Sequence, residues 1–168
     1  MGKNNLFESD IPKSAEAIGL WYRRMRDMTL YRNSGSPFDF LLFKNGVLVG
    51  LECKMLRARK SGNPKSIAFS QVTDTQREGM VRLHKEKGGY GFVGVNFRWV
   101  NNKKGEVFIL PIDEFLSLEE KFDRKSIPLD YFREECISLP RYESGWDLRL
   151  LFPFDMSFWE QNSGKGLF

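Results

Sequence analysis

Residue types that could perform phosphate chemistry occur at short spacing around one Asn-Gly pair. Asp39 lies within the apolar run FDFLLF, and Glu52 and Lys54 lie in the run VLVGLECK that follows Asn45 and Gly46. Asn-Gly between two apolar runs is a strong signal for a β-hairpin with a two-residue turn. With those two residues at the centre of the turn, Asp39 lies directly opposite Glu52. Opposed side chains of an antiparallel pair share one face, with Cβ atoms about 5 Å apart.

Two opposed carboxylates repel each other unless a proton or a cation lies between them. Lys54 follows Glu52 by two residues and therefore points to the same face. Mg²⁺ prefers oxygen ligands and often takes only one or two carboxylates besides water and phosphate. We therefore expect Asp39, Glu52 and the backbone carbonyl of Cys53 to bind Mg²⁺, for which Mn²⁺ should substitute. A longer or bulged turn would instead place the two carboxylates on opposite faces.

This metal would activate a water molecule for attack on a phosphodiester. Lys54 would orient that water or stabilise the charge that develops on the phosphoryl oxygens. The plain alternative is that Asp39 and Glu52 are ordinary strand-end carboxylates paired with Lys54 and solvent. Their position inside two apolar runs favours the metal site.

The composition excludes several other classes of chemistry. The chain has 168 residues with an apolar fraction of 41%, which suffices for one core and excludes a mainly disordered protein. The only histidine is His84, and Cys53 and Cys136 form no CxxC pair, so zinc sites and histidine-based catalysis are poor candidates. The formal net charge of +4 permits nucleic-acid binding without proving it.

No segment has the features of a targeting or membrane sequence. The longest apolar runs fall well short of the roughly 20 residues of a membrane span. The N-terminal residues MGKNNLFESDIPKS lack the apolar core of a signal peptide. We expect a cytoplasmic protein, in a bacterium or a phage-infected host, with no membrane partner. We also expect a single domain over residues 1–168, with flexible tails at 1–11 and 160–168.

Apolar spacing predicts the elements that position these residues. The predicted helices are 12–28, 74–87 and 112–122, and the predicted strands are 38–43, 47–54, 90–99 and 106–110, with a further strand in the C-terminal third. This order indicates an α/β fold whose mixed sheet is covered on both faces. One face of the first hairpin should carry Phe38, Phe40, Leu42, Val49 and Leu51. The other should carry Leu41, Phe43 and Leu48, so that neither face is open to solvent.

Basic residues cluster in two segments. The helix predicted at 12–28 carries Arg23 and Arg24 on its polar side, where a solvated surface and a phosphate contact are equally good interpretations. The segment 57–66 contains no acidic residue. A solubilising loop is possible there, but its position directly after Lys54 favours contact with a DNA backbone. The expected contacts in that loop are Arg57, Arg59, Lys60 and Lys65.

The sequences SGSPFDF and LECK resemble the motif of the PD-(D/E)xK nucleases. A wider frame resembles the Holliday-junction resolvases, with the first half similar to the archaeal type and the rest to the bacterial RecU type. The frame consists of Glu16, Arg32, DTQ at 74–76, GGYGFVGVNF, VFILP at 107–111 and KSIPLDYF at 125–132. The resemblance covers residues 12–152 and is compatible with a phage origin.

This resemblance implies a restriction-endonuclease-like fold and a Mg²⁺-dependent endonuclease. Such an enzyme works as a homodimer that resolves four-way DNA junctions by paired nicks during recombination. Asp39 and Glu52 would bind the metal, and Lys54 and Gln76 would belong to the catalytic machinery. Glu16 would be a further carboxylate at the metal or the water. The DNA contacts implied in the loop before the first acidic strand are Arg32, Ser34 and Ser36.

The chain departs from the RecU type in one respect. That type carries a long stalk before the first acidic strand, whereas only the loop YRNSGSP occupies this place here, so the junction must be engaged differently. Two alternatives stay open: a nuclease of the same fold that cuts duplex DNA in repair or restriction, and a DNA-binding module that has lost catalysis. Retention of Asp39, Glu52 and Lys54 together argues against the second.

Overall fold

The computed structural model describes residues 5–25, 35–102 and 104–152. Four helices and ten strands lie in these ranges. The helices are α1 (Leu6–Ala17), α2 (Asp74–Lys87), α3 (Ile112–Lys121) and α4 (Leu129–Glu135). The strands are β1 (Trp21–Arg24), β2 (Phe40–Lys44), β3 (Val47–Arg57), β4 (Ser66–Ala68), β5 (Tyr90–Arg98), β6 (Glu106–Pro111), β7 (Ser126–Pro128), β8 (Ile137–Leu139), β9 (Arg141–Tyr142) and β10 (Gly145–Trp146).

Six strands form the central sheet in the order β1-β2-β3-β5-β6-β8. The pair β3 and β5 is parallel and the other pairs are antiparallel. Helix α1 and the C-terminal residues Trp146 to Phe152 cover one face, and α2, α3 and α4 cover the other. The predicted α/β class, a mixed central sheet flanked by helices, is confirmed. Among the described helices, none is long and apolar enough to cross a membrane.

The first hairpin forms with the predicted turn. Asn45 and Gly46 have φ angles of 50° and 81°, the left-handed conformation that a tight hairpin turn requires. The predicted register is confirmed from Lys44 opposite Val47 to Phe40 opposite Leu51. Both halves of the hairpin therefore lie in the central sheet, with β3 between β2 and β5.

The hairpin is irregular at Asp39. Its backbone N–H donates to the Leu51 carbonyl at 3.1 Å, although Leu51 is already opposite Phe40. Irregularities of this kind change the direction in which a side chain points. Phe38 consequently packs in the α2 cluster and not beside Phe40, so its predicted face was wrong. Phe43 is 44% exposed, which also departs from the prediction.

The first helix begins earlier than predicted. It starts at Leu6 because the Asn5 side chain accepts hydrogen bonds from the backbone of Phe7 and Glu8. Phe7 and Ile11 are fully buried, so residues 6–11 belong to the fold and not to the expected flexible tail. The other predicted tail, 160–168, lies outside the described residues.

The first helix also ends earlier than predicted. After α1 the chain turns through Gly19, whose φ is 64°, and continues as strand β1. Arg23 and Arg24 are therefore on an edge strand paired with β2, and their predicted helical placement was wrong. The apolar periodicity over 12–28 was misleading because this range contains the end of helix α1 followed by strand β1.

The second half of the chain follows the sequence more closely. Helix α2 has the predicted bounds, with a capping box between Thr73 and Gln76 at its start and Gly88 at φ 63° after its end. Strands β5 and β6 and helix α3 agree with prediction within one residue. Several short elements were missed, because two to seven residues carry little periodicity: β4, β7, β8, β9 and α4. The expected C-terminal strand is only Gly145–Trp146, and a 3-10 helix follows at Leu148–Leu151.

Helix α2 packs closely on the segment that leads into Asp39. A Cβ atom at Gly79 would overlap the ring of Pro37. We predict that Gly79→Ala lowers the free energy of unfolding by about 1–3 kcal/mol, because the overlap outweighs the better helix propensity of alanine. Urea denaturation measures the change, with the exposed Glu78→Ala in the same helix as the control. A more stable Gly79→Ala protein would contradict this packing.

Candidate metal centre

The structure brings Asp39, Glu52, Lys54 and Gln76 together on the α2 face of the sheet. Glu52 and Lys54 lie two residues apart on β3, and their ion pair measures 2.7 Å. Glu52 is 2% exposed, although it is a charged residue on the central pair of strands. A buried carboxylate is costly unless it is paired or binds a cation. The surroundings of Glu52 therefore decide what the site can do.

The two oxygens of Glu52 have different environments. Oε1 accepts hydrogen bonds from Gln76 Nε2 and from Lys54 Nζ, each at 2.7 Å. Oε2 is buried and has no hydrogen-bond partner within the part of the chain that the structure describes. A buried unpaired carboxylate oxygen is destabilising by at least about 1–3 kcal/mol. A cation beside Oε2 would remove that cost.

Gln76 links the start of α2 to the site. Its Oε1 accepts from the Thr73 backbone N–H at 3.0 Å and from Lys54 Nζ at 3.3 Å. Its Nε2 is thereby directed to Glu52. The capping box that begins α2 thus also orients the amide of Gln76, a role that no spacing rule alone would have assigned.

Asp39 supplies the second carboxylate. Its Oδ2 accepts a hydrogen bond from the Cys53 backbone N–H at 2.8 Å. Burial raises the pKa of Asp39 to about 6, although the Cys53 hydrogen bond acts in the opposite direction. Burial and the nearby Asp39 charge raise the pKa of Glu52 to about 7. Both carboxylates thus favour a proton, or a cation in its place, near neutral pH.

Helix α1 contributes a carboxylate that the sequence analysis missed. Asn5 Nδ2 donates to the Cys53 carbonyl at 3.2 Å and to Glu8 Oε1 at 2.7 Å, which places the start of α1 at the site. The charge of Glu8 contributes to the raised pKa values of Asp39 and Glu52. The pattern Asn-x-x-Glu is a capping signal, and reading it would have started the helix at Leu6.

Glu16 does not reach this site. It is exposed, and it accepts a hydrogen bond from the Tyr22 hydroxyl at 3.0 Å. Eight residues of helix separate it from Glu8, a rise of about 12 Å. Glu8, and not Glu16, is the α1 carboxylate whose charge acts on Asp39 and Glu52. The role that the resemblance implies for Glu16 stays a prediction.

The donor set fits a hard cation better than a softer metal. Within residues 5–25, 35–102 and 104–152, no three His, Cys, Asp or Glu side chains are grouped as a metal site. Mg²⁺ needs fewer protein ligands, since it keeps several waters. Asp39, Glu52 and the Cys53 carbonyl are the available oxygens, with the unpartnered Glu52 Oε2 among them. These residues fit Mg²⁺ or Mn²⁺.

The residues predicted to contact DNA have varied surroundings. Arg24 pairs with Glu8 at 2.6 Å, and Arg23 is exposed on the edge strand. The Ser36 hydroxyl donates to the Phe38 carbonyl at 2.6 Å, so it supports the local loop. Arg32 and Ser34 lie outside the described residues. The basic residues predicted in the loop 57–66 are exposed, although the first of them ends β3: Arg57, Arg59, Lys60 and Lys65.

Comparison with solved structures finds chains of similar fold, whereas the sequence comparisons find none. No family model and no curated protein sequence matches this chain. The chain is similar to the crystal structure of Hjc from Archaeoglobus fulgidus, a Holliday junction resolvase from an archaeal hyperthermophile. The sequence identity is 15% and the TM-score 0.49, over 77% of this chain and 92% of that chain. The RecU-type resemblance and the phage origin stay predictions.

The raised pKa of Asp39 predicts a pH-dependent stability without metal. A carboxyl whose pKa rises from 3.8 to about 6 on folding stabilises the fold fully below pH 3.8 and loses that contribution as pH rises through 6. In EDTA, Asp39→Asn should therefore exceed the parent in stability at pH 8 by about 1–3 kcal/mol and match it near pH 4.

Urea denaturation at several pH values tests this difference. Asp147→Asn is a control of opposite sign, since the hydrogen bond from Arg149 lowers the pKa of Asp147. That variant should be less stable than the parent at pH 8. An Asp39→Asn protein that is less stable than the parent at every pH would contradict the burial argument.

Proposed function

We propose that this chain is a metal-dependent endonuclease that cuts the DNA backbone and prefers four-way junctions. One observation supports the chemistry above all others. The buried Glu52 has one oxygen held by Lys54 and Gln76 and the other without a partner among the described residues, beside a second carboxylate with a raised pKa. This arrangement suits a divalent cation and a phosphate better than it suits a structural ion pair.

The roles of the side chains follow from their hydrogen bonds. Bound Mg²⁺, held by Asp39, Glu52 and the Cys53 carbonyl, would acidify a water molecule and neutralise charge on the phosphoryl oxygens. Lys54 Nζ has three N–H donors, of which Glu52 and Gln76 use two. The third has no partner among the described residues, so it could donate to a phosphoryl oxygen or to the attacking water. Gln76 fixes the direction of Lys54 and thereby of that third donor.

Glu8 is proposed to assist catalysis by acting on the attacking water. It lies at the start of α1, bonded to Asn5 on one side and paired with Arg24 on the other. A third carboxylate near a metal can accept a proton from bound water or orient it. The ion pair with Arg24 holds the Glu8 side chain near β2, since Arg24 also lies over the ring of Phe40 at 6.0 Å.

The substrate class rests on charge and on the sequence resemblance. The exposed basic residues at the end of β3 and in the loop before β4 begin three residues after Lys54, so a DNA backbone at the metal would also meet them. The preference for four-way junctions, the homodimer and the paired nicks are taken from the resemblance to the Holliday-junction resolvases. Such an enzyme would act in recombination and DNA repair.

The central prediction concerns cleavage. In Mg²⁺ the protein should nick a labelled four-way junction symmetrically and leave matched linear duplex intact, and in EDTA it should cut neither. Asp39→Asn should lower the cleavage rate at least about 1000-fold while junction binding persists, because the amide keeps the Cys53 hydrogen bond but loses the charge.

The other outcomes of this experiment identify the alternatives. Equal cutting of the duplex would indicate a repair-type or restriction-type nuclease of the same fold. Binding without cutting in either Mg²⁺ or Mn²⁺ would indicate a DNA-binding module that has lost catalysis. Normal cleavage by Asp39→Asn would show that Asp39 is not a metal ligand.

The two glutamates of α1 provide a matched pair of variants. Glu8→Gln should lower the rate of junction cleavage about 10–1000-fold, because it removes the carboxylate that would accept a proton from the attacking water or orient it. Glu16→Gln should leave the rate within twofold of the parent, since that side chain bonds only to Tyr22 among the described residues. Single-turnover cleavage measures both. The reverse order of effects would restore the assignment of Glu16.

A further inference from the structure

Arg77 follows Gln76 on α2 and holds the segment that leads into this helix. Its Nε donates to the Val72 carbonyl at 2.9 Å, and its Nη2 donates to the Phe69 carbonyl at 2.8 Å. On the other side, Nη1 and Nη2 donate to the two carboxylate oxygens of Glu119 on α3. One side chain therefore connects α3 with the residues that precede α2.

These bonds fix the position of the Arg77 guanidinium. Arginine has five N–H donors in a planar fork, and the four hydrogen bonds use four of them. The group also lies over the Phe115 ring, 5.5 Å from its centre, and the side chain is 17% exposed. Lysine lacks this fork, since its three donors leave a single nitrogen atom. The guanidinium is thus held by a carboxylate, a ring and two backbone carbonyls at once.

The peptide group between Val72 and Thr73 links Arg77 to Gln76. Its oxygen is the Val72 carbonyl that accepts from Arg77, and its N–H is the Thr73 donor that bonds to Gln76 Oε1 at 3.0 Å. A peptide group is planar, so a bond that fixes its oxygen also fixes the direction of its N–H. Hydrogen bonds in such a chain polarise and strengthen one another. The orientation of the Gln76 amide therefore depends on Arg77.

The Gln76 amide passes this orientation to the metal centre. Its Oε1 also accepts from Lys54 Nζ at 3.3 Å, and its Nε2 donates to Glu52 Oε1 at 2.7 Å. An amide turned the other way would place its N–H groups against the Lys54 ammonium and its oxygen against the Glu52 carboxylate, and both contacts would be repulsive. The bond from the Thr73 N–H selects the orientation in which both contacts are attractive.

We propose that Arg77 is a positioning residue of the metal centre. It holds the peptide group between Val72 and Thr73, this peptide group orients Gln76, and Gln76 orients Lys54. The positioning role rests on hydrogen bonds between described residues, whereas its consequence for DNA cleavage rests on the proposed function. Pairing with Glu119 alone would only stabilise the packing of α2 on α3. The bond to the Val72 carbonyl gives the same side chain its second role.

The test follows the side-chain amide of Gln76 by NMR, in the full chain and in EDTA. Its two N–H signals are assigned from their loss in Gln76→Ala. In Arg77→Met these signals should move towards those of a free glutamine amide. Their exchange with water should become about two- to tenfold faster, the factor that corresponds to one intramolecular hydrogen bond. This measurement needs neither metal nor cleavage.

Arg133→Met on α4 is a matched control. Arg133 also pairs with a glutamate, Glu106 at 3.1 Å, and lies over a ring, that of Trp99 at 5.6 Å. The substitution therefore removes the same kinds of contact from a different part of the fold. It should leave the Gln76 signals unchanged.

Glu119→Ala is a milder second variant, which keeps the test decisive if Arg77→Met does not fold. It removes the acceptor on α3 and leaves Arg77 with its two backbone carbonyls. The Gln76 signals should shift in the same direction as in Arg77→Met but by a smaller amount, because Arg77 connects Glu119 to the start of α2.

Cleavage kinetics test the catalytic consequence. Arg77→Met should lower the single-turnover rate of junction cleavage about 10- to 100-fold, while junction affinity in EDTA stays within about twofold of the parent. In Gln76→Ala protein the same substitution should lower the rate by less than about twofold, because the residue through which Arg77 acts is absent. A merely structural role would lower the rate by similar factors in both backgrounds, and that result would overturn the proposal.

The NMR outcomes separate this inference from the proposed function. Unchanged Gln76 signals in both Arg77→Met and Glu119→Ala would overturn the positioning role, even in a protein that cuts junctions. Equal changes in Arg77→Met and Arg133→Met would also overturn it, since they would indicate a general loosening of the fold. The expected changes in a protein that never cuts would support the positioning role while the proposed nuclease activity failed.

Discussion

The burial of one carboxylate, that of Glu52, is the constraint on which the arrangement of this protein depends. It lies on the strand that pairs with both β2 and β5, where an unpaired charge is costly. Lys54 and Gln76 satisfy one of its oxygens and leave the other without a described partner. Asp39 adds a second carboxylate at the same place, so the fold maintains a local excess of negative charge that a cation can neutralise.

Two helices begin beside these carboxylates. Helix α1 starts at Asn5, which bonds to the Cys53 carbonyl, and α2 starts at Thr73, which shares a capping box with Gln76. Helix N-termini carry partial positive charge, so both orientations stabilise the carboxylates. The caps thus do two things, since they begin the helices and direct polar side chains to Asp39 and Glu52 or their neighbours.

The parts of the site that depend on local pattern could be predicted from the sequence. The Asn-Gly turn determined the register as far as Phe40 opposite Leu51. Asp39 does not continue that ladder as the predicted partner of Glu52, but its side chain lies beside the neighbouring Cys53. The capping box and the glycine that follows α2 determined its bounds. Glu8 was missed because the first helix was started at Pro12, and Pro12 lies inside α1. The ion pairs of Asp10 with Arg98 and Arg141 could not be predicted, since they join residues from α1, β5 and β9 that only the tertiary fold brings together.

The account depends on a divalent cation between Asp39 and Glu52. A crystal structure of the protein grown with Mn²⁺, measured where manganese scatters anomalously, tests this directly. The account predicts one strong anomalous peak about 2.0–2.3 Å from oxygens of Asp39, Glu52 and the Cys53 carbonyl, at the distances typical of small divalent cations. A map without a peak there at saturating Mn²⁺, with Lys54 still bonded to Glu52, would contradict it.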